Sequence, residues 1–253
     1  MSVYSMYFSP TGGTKKVMDI LTEGLSLDRQ IDLSAADVDY STSSFTKEDV
    51  CLIGVPSFGG RVPSVVLERL RQMQANGAMA IPVVVFGNRA YDDTLLELKT
   101  EASACGYIVG AAVSAVAEHS IMRQYGKGRP DAQDEMELRQ FSKEIAGLIT
   151  NRKNIKDFAV PGNSPYREYS GVPFKPKADK SCTKCGQCAE KCPVQAIPRD
   201  NPASLDEEKC ISCMRCISVC PQNARKLNKA VLFAASQAMK KAFVDRKQNE
   251  LYL

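Results

Sequence analysis

Eight of the ten cysteines in this 253-residue chain fall between Cys182 and Cys220, in two runs of one pattern. From Cys182 the chain reads CTKCGQCAEKCP and from Cys210 it reads CISCMRCISVCP, an internal repeat at an offset of 28 residues. Each run places three cysteines at intervals of three, adds a fourth four residues later and closes on proline. Disulfides do not suit a chain whose start, MSVYSMYF, has no basic lead into an apolar export core. A zinc site wants paired C-x-x-C knuckles, which leave no reason for the third cysteine of each run or for the Cys-Pro ending.

The spacing is instead that of [4Fe–4S] sites, in which three thiolates of one run hold a cluster and the fourth is lent to the other. On this scheme Cys182, Cys185, Cys188 and Cys220 bind one cluster, and Cys210, Cys213, Cys216 and Cys192 bind the second. Soft thiolates suit iron and sulfide, Gly186 and Ala189 leave room beside the cluster, and Pro193 and Pro221 end the ligand runs. Residues 178–228 resemble the two-cluster bacterial ferredoxins. The remaining cysteines, Cys51 in VCLIGV and Cys105 in SACGYIV, read as small core filler.

Ahead of the cysteines, residues 1–155 alternate apolar strand-like runs with amphipathic segments. The expected strands are Val3 to Phe8, Gln30 to Leu33, Val50 to Val55, Ile81 to Phe86 and Ile108 to Val116. The expected helices are Lys15 to Leu27, Pro63 to Gln74, Thr94 to Ala104 and one capped by Asp131 in GRPD. That alternation predicts an α/β fold, a five-stranded parallel sheet covered on both faces. Residues 156–177 read as a linker draped over a surface, rich in Pro, Gly and charge. Residues 229–253 read as an amphipathic helix whose stripe of Val231, Ala235, Ala238, Met239 and Ala242 docks on its own protein.

Between the first strand and first helix stands FSPTGGTKK. Read by itself it is either an ordinary turn with Thr14 as N-cap or a phosphate cradle. In the cradle, the hydroxyls of Ser9, Thr11 and Thr14 converge with amides freed by Gly12 and Gly13. No G-x-x-x-x-G-K-[ST] loop can be written, and no G-x-G-x-x-G is present.

A parallel sheet of this size with a hydroxyl-rich turn after its first strand resembles flavodoxin, and flavodoxin implies two further loops at the same edge. PSFGGRVP follows the third strand and GNRAYDD the fourth. The resemblance implies FMN, its phosphate in the opening turn and its ring between the loops. Pro56, Ser57 and Arg61 then lie in the first ring loop, and Gly87 and Asp92 in the second. Phe58 and Tyr91 supply aromatic faces, and Asn88 and Arg89 hold the polar edge of the ring. Gly59 and Gly60 allow a peptide to turn its carbonyl toward N5–H of the half-reduced flavin. Lack of tryptophan and GNRAYDD in place of an acidic G-D-x-x-Y pattern depart from long-chain flavodoxins. As a whole the chain resembles the flavodoxin-like and ferredoxin fusion proteins of anaerobes.

The function expected from this organisation is electron transfer between FMN and two [4Fe–4S] clusters, to or from a redox partner protein. The alternative is an FMN-dependent reductase of a small oxidised substrate near Arg61 and His119, the only histidine. A redox-sensing module is a third class, for which one centre would suffice. With 33 basic against 29 acidic residues the charge is too mild to point to nucleic acid, and neither nucleic acid nor membrane contact is expected. A cytoplasmic location is expected.

Overall fold

Strands rich in Val, Ile and Leu on both faces can be buried only between two helical layers, and that requirement shapes the first domain. In the computed structural model, which describes residues 1–152 and 155–253, the strands are β1 (Val3–Tyr7), β2 (Leu27–Asp32), β3 (Val50–Pro56), β4 (Met79–Phe86), β5 (Ile108–Val109) and β6 (Ala112–Val116). The helices between them are α1 (Gly13–Thr22), α2 (Ser64–Leu70), α3 (Thr94–Ala104) and α4 (Ala132–Thr150). One face packs Val17, Met18 and Leu21 of α1 and Leu138 and Ile145 of α4 on Leu52 and Val83. The other packs Val66 and Leu70 of α2 and Leu95 and Leu98 of α3 on Met6, Ile53 and Val84.

The parallel strands run in the order β2-β1-β3-β4-β6, the flavodoxin-like order, with its switch point between β1 and β3. A ligand crevice is expected outside the carboxyl ends of these two strands. The expected single strand from Ile108 to Val116 is two pieces, β5 and β6. At the break, the Met79 side chain occupies the place that a Cβ on Gly110 would need. The first helix stops at Thr22, whose hydroxyl turns back to the Met18 carbonyl oxygen at 2.8 Å, and β2 starts earlier than expected, at Leu27. The second helix is also shorter than expected, ending at Leu70.

Beyond the linker, β7 (Lys177–Ala178) pairs antiparallel with β8 (Arg225–Lys226), and the two cysteine runs carry the short helices α5 (Gln187–Glu190) and α6 (Arg215–Ser218). The sequence repeat is also a backbone repeat. Positive φ recurs at Lys184 and Ser212 (55° and 54°), at Gly186 and Met214 (81° and 63°), and at Gln195 and Asn223 (52° and 49°). Likewise the Ala196 amide lies 3.3 Å from Cys192 Sγ, and the Ala224 amide 3.2 Å from Cys220 Sγ.

The last segment departs from the expected docked helix. Only Lys229–Met239 is α-helical (α7), and the expected apolar stripe is largely in solvent: Val231 is 44% exposed, Ala238 and Ala242 are exposed, and Ala235 and Met239 are half-buried. Ser236 and Phe243 make the contact with the first domain instead. The chain then runs on to β9 (Glu250–Tyr252), which pairs antiparallel with β6 at the edge of the sheet. None of the helices among the described residues is long and apolar enough to cross a membrane.

Candidate functional site

Among the described residues the opening turn leaves backbone amides without protein acceptors. Gly12 sits at φ +93°, where a Cβ would meet nothing within 4 Å, and Thr11 and Gly12 are exposed. Ser9 Oγ accepts from the Lys15 amide at 2.9 Å, and the Ser9 amide donates to Ser34 Oγ at 2.8 Å. Thr14 is buried inside the first turn of α1 and is not its N-cap, a position that Gly12 holds. Among the described residues the amides of Thr11, Gly12, Gly13 and Thr14 find no acceptor. Four unpaired donors at the positive end of a ten-residue helix suit a phosphate.

The loops after β3 and β4 frame a cavity of about 150 Å³ lined by Ser57, Phe58, Gly59, Gly60, Gly87, Arg89 and His119. Three other segments close it: Tyr169 and Phe174 of the linker, Ile211 and Ser212 of the second cysteine run, and Met239 at the end of α7 with Phe243 beyond it. A neighbouring cavity of about 350 Å³ shares Phe58, Tyr169, Ile211 and Ser212 and adds Arg61, Lys175 and Cys210. The Tyr169 ring lies directly over Gly59, in the space that a Cβ there would need. Glycine is required at this position both by that contact and by φ +60°. Gly60 is in the same region (φ +87°), and its carbonyl accepts from the Asp93 amide at 3.1 Å.

Several residues expected at the ring are occupied elsewhere. Asn88 donates to the Phe243 and Asp245 carbonyl oxygens, both at 3.1 Å, and accepts from Arg129 and from the Lys247 amide. It anchors the end of the chain. Tyr91 turns into the core against Phe86, and its hydroxyl meets that of Tyr252 at 2.8 Å. Arg61 clamps Glu97 through Nε and Nη2 at 2.9 and 2.6 Å and donates to the Arg167 carbonyl, so it holds the linker. Asp92 pairs with Arg89 and Arg167. Pro56 closes β3, and Ser57 Oγ bonds Thr94 Oγ1 at 2.8 Å.

His119 Nδ1 accepts from the amides of Ile121 and Met122, both at 3.1 Å, so the ring proton is on Nε2. Burial, reinforced by the Arg89 charge, pushes its pKa down to about 4. At neutral pH it is therefore a neutral hydrogen-bond donor at the cavity wall, not a reservoir of acid. Asp93 anchors the linker: burial alone would raise its pKa, but the amides of Arg167 and Asn163 outweigh it and hold the carboxyl below the usual range.

The thiols lie in two neighbourhoods. Cys182, Cys185, Cys188 and Cys220 line one cavity with Arg225. Cys213 feels the charges of Cys192, Cys216 and Cys210, after burial the main cause that pushes its thiol up. Among the described residues no three such side chains close on a single ion. Eight thiols in two sets of four are a donor set that fits two clusters.

Residues 181–224 match the 4Fe-4S dicluster domain. The chain joins a flavodoxin-like domain to a dicluster ferredoxin domain. Carrying electrons is the general chemistry of such a domain. The ferredoxin part is 36% identical over 58 residues to a component of the ion-translocating oxidoreductase complex of Methanosarcina acetivorans, covering 22% of each chain. It is 38% identical over 63 residues to the putative electron transport protein YccM of Escherichia coli, covering 22% of this chain and 17% of that one. The chain thus spans about a fifth of the length of these curated relatives. The flavodoxin of Streptococcus pneumonia TIGR4 aligns with 58% of this chain and 99% of its own at 19% identity and a TM-score of 0.42.

Three residues that matter here give little signal in the sequence. Tyr169 sits in a stretch without periodicity, and Arg215 lies between two cysteines. Arg225 stands where the first repeat has Ile197, a difference visible once the two runs are aligned past their prolines.

Proposed function

We propose that the chain passes electrons between FMN in the first domain and two [4Fe–4S] clusters in the second, and from there to or from a partner protein. The observation that carries this reading is the shared wall of the two domains: Ile211 and Ser212, which line the cavity between the flavodoxin-like loops, are flanked by Cys210 and Cys213. When bound, FMN exchanges one or two electrons and each cluster exchanges one. The unpaired amides of Thr11 to Thr14 would hold the phosphate, and Phe58, Gly59 and Gly60 would bound the ring. Tyr169, Phe174 and Phe243 line the cavity with aromatic surface, which would shield a bound ring from solvent and favour transfer into the protein.

Anaerobic purification with flavin and iron assay tests the content, and Thr11→Ala and Thr14→Val test the cradle. Each of these changes is expected to weaken FMN roughly tenfold or more while leaving riboflavin unaffected. Unchanged FMN affinity in both variants would remove the two hydroxyls from the cradle, and FMN binding no tighter than riboflavin would reject the cradle itself.

A reductase reading rests on one observation, the neutral Nε2–H of His119 beside Arg89 in the cavity wall. That donor would orient a small oxidised substrate against the ring. His119→Ala abolishing turnover of such an acceptor, while transfer from flavin to cluster stays normal, would favour the reductase over the carrier.

A further inference from the structure

Arg225 is 2% exposed and lines the cavity of Cys182, Cys185, Cys188 and Cys220. Its hydrogen bonds go to carbonyl oxygens only: Pro176 at 3.1 Å, Pro202 at 2.5 Å and Ser204 at 2.7 Å. Its Nε–H is buried with no partner, and among the described residues no carboxylate pairs with it. By contrast Arg129, also buried, faces Asp134. A guanidinium taken out of water without an anion is strongly disfavoured, so the anion it answers must be something held by the four thiols around it.

The repeat sharpens the point. At an offset of 28 residues Arg225 corresponds to Ile197, which is 3% exposed in the apolar packing beside Cys188 and Cys216. The two ligand sets share backbone geometry and amide-to-sulfur contacts, yet one has a buried cation where the other has a hydrocarbon.

We propose that Arg225 is the fixed counter-charge of the cluster held by Cys182, Cys185, Cys188 and Cys220, and raises its reduction potential above that of its twin. The inference rests on the reading that two clusters are bound. Reduction adds one electron and one negative charge to a [4Fe–4S] centre, and a fixed cation favours that more negative form. The cluster beside Ile211 and Ser212, nearest the cavity, is then the weaker oxidant. Electrons arriving from the cavity run downhill to the cluster beside Arg225, whose ligand Cys185 is exposed.

The test is an anaerobic redox titration of the full chain followed by electron paramagnetic resonance, with Cys185→Ser used to assign the two signals. In Arg225→Gln the ratio of reduced to oxidised cluster at a fixed potential is expected to fall at least tenfold for the Cys185 cluster, about 59 mV for one electron. The other cluster should move clearly less, and Arg225→Lys should stay near wild type. If Arg225→Gln does not hold two clusters, Arg225→Lys decides: wild-type content and potentials support a charge role, and loss of the same cluster overturns it. Equal displacement of both clusters, or none, also overturns the inference. Wild-type iron content below two clusters would reject the underlying two-cluster reading, a result read before any potential is measured.

Discussion

Arg215 Nη1 stands 3.1 Å from the Ser9 carbonyl oxygen and 3.3 Å from that of Pro10, so the helix that carries Cys216 grips the turn between β1 and α1. Ser218, one turn on, donates to the same Pro10 carbonyl at 3.2 Å. A turn whose outward carbonyls are tied down presents its inward amides without first having to order them. The ferredoxin domain thereby helps to shape the turn proposed to hold the phosphate.

Arg215→Ala is accordingly expected to weaken FMN about tenfold, near the ~1.5 kcal/mol of a hydrogen bond to a charged group, and to leave riboflavin binding unchanged. Fluorescence titration with the two flavins checks this. Equal loss for both would mean that the helix supports the ring cavity and not the turn.

Cys192 belongs to the first run in sequence and to the second set in space. Cys192→Ser should therefore damage the cluster held by Cys210, Cys213 and Cys216 and spare the one held by its own neighbours. Spectra of the reduced variant that lack the other signal instead would refute the crossed arrangement.

The end of the chain is tied to the first domain by charge. Arg129 Nε meets Asp134 Oδ2 at 2.8 Å in the interior, Arg246 reaches Asp131 at 2.7 Å and Asp134 at 3.1 Å, and Asn249 donates to Asp134 at 3.0 Å. Burial alone would raise the Asp134 pKa, but Arg129, the Asp131 amide and Asn249 outweigh it and hold the carboxyl below the usual range. Asp134→Ala leaves Arg129 buried without its anion, which is expected to cost about 3–5 kcal/mol in urea unfolding. Arg246→Ala removes a more exposed partner and should cost about 1 kcal/mol or less.

The dicluster domain and the places of the three loops could be read from the sequence because each depends on residues close together in the chain, with chemistry that few other patterns satisfy. The fates of Asn88 and Tyr91 depend instead on partners more than 150 positions away, Phe243 and Tyr252. β9 is three residues long and pairs antiparallel at an edge, too short for an alternating pattern to mark it as a strand. Once it is there, Tyr252 draws the Tyr91 hydroxyl into the sheet edge, and Tyr169 takes the place beside Phe58 that a loop aromatic was expected to fill. The sequence pattern located the edge of the site; contacts from the linker and the tail decide which side chains face it.

His119 offers a pH test whose sign follows from its burial. Its pKa is near 4 in the folded chain against 6.5 for an ordinary histidine, so the unfolded state binds the proton first as pH falls. Stability from this group is fully present above about pH 6.5, declines as the unfolded histidine titrates, and reaches its full loss of about 3 kcal/mol near pH 4. The same reasoning keeps Nε2–H a neutral donor through the physiological range, with Nδ1 committed to the Ile121 and Met122 amides. His119→Gln keeps a polar side chain but cannot bind that proton. The stability difference between wild type and His119→Gln should therefore be constant above pH 7 and shift in favour of the variant by about 3 kcal/mol between pH 6.5 and 4. Subtracting the two urea curves at each pH removes the contribution of every other titrating group. A difference that stays flat across this window would mean that the ring is protonated as readily in the fold as in water, and that His119 stands ready as an acid after all.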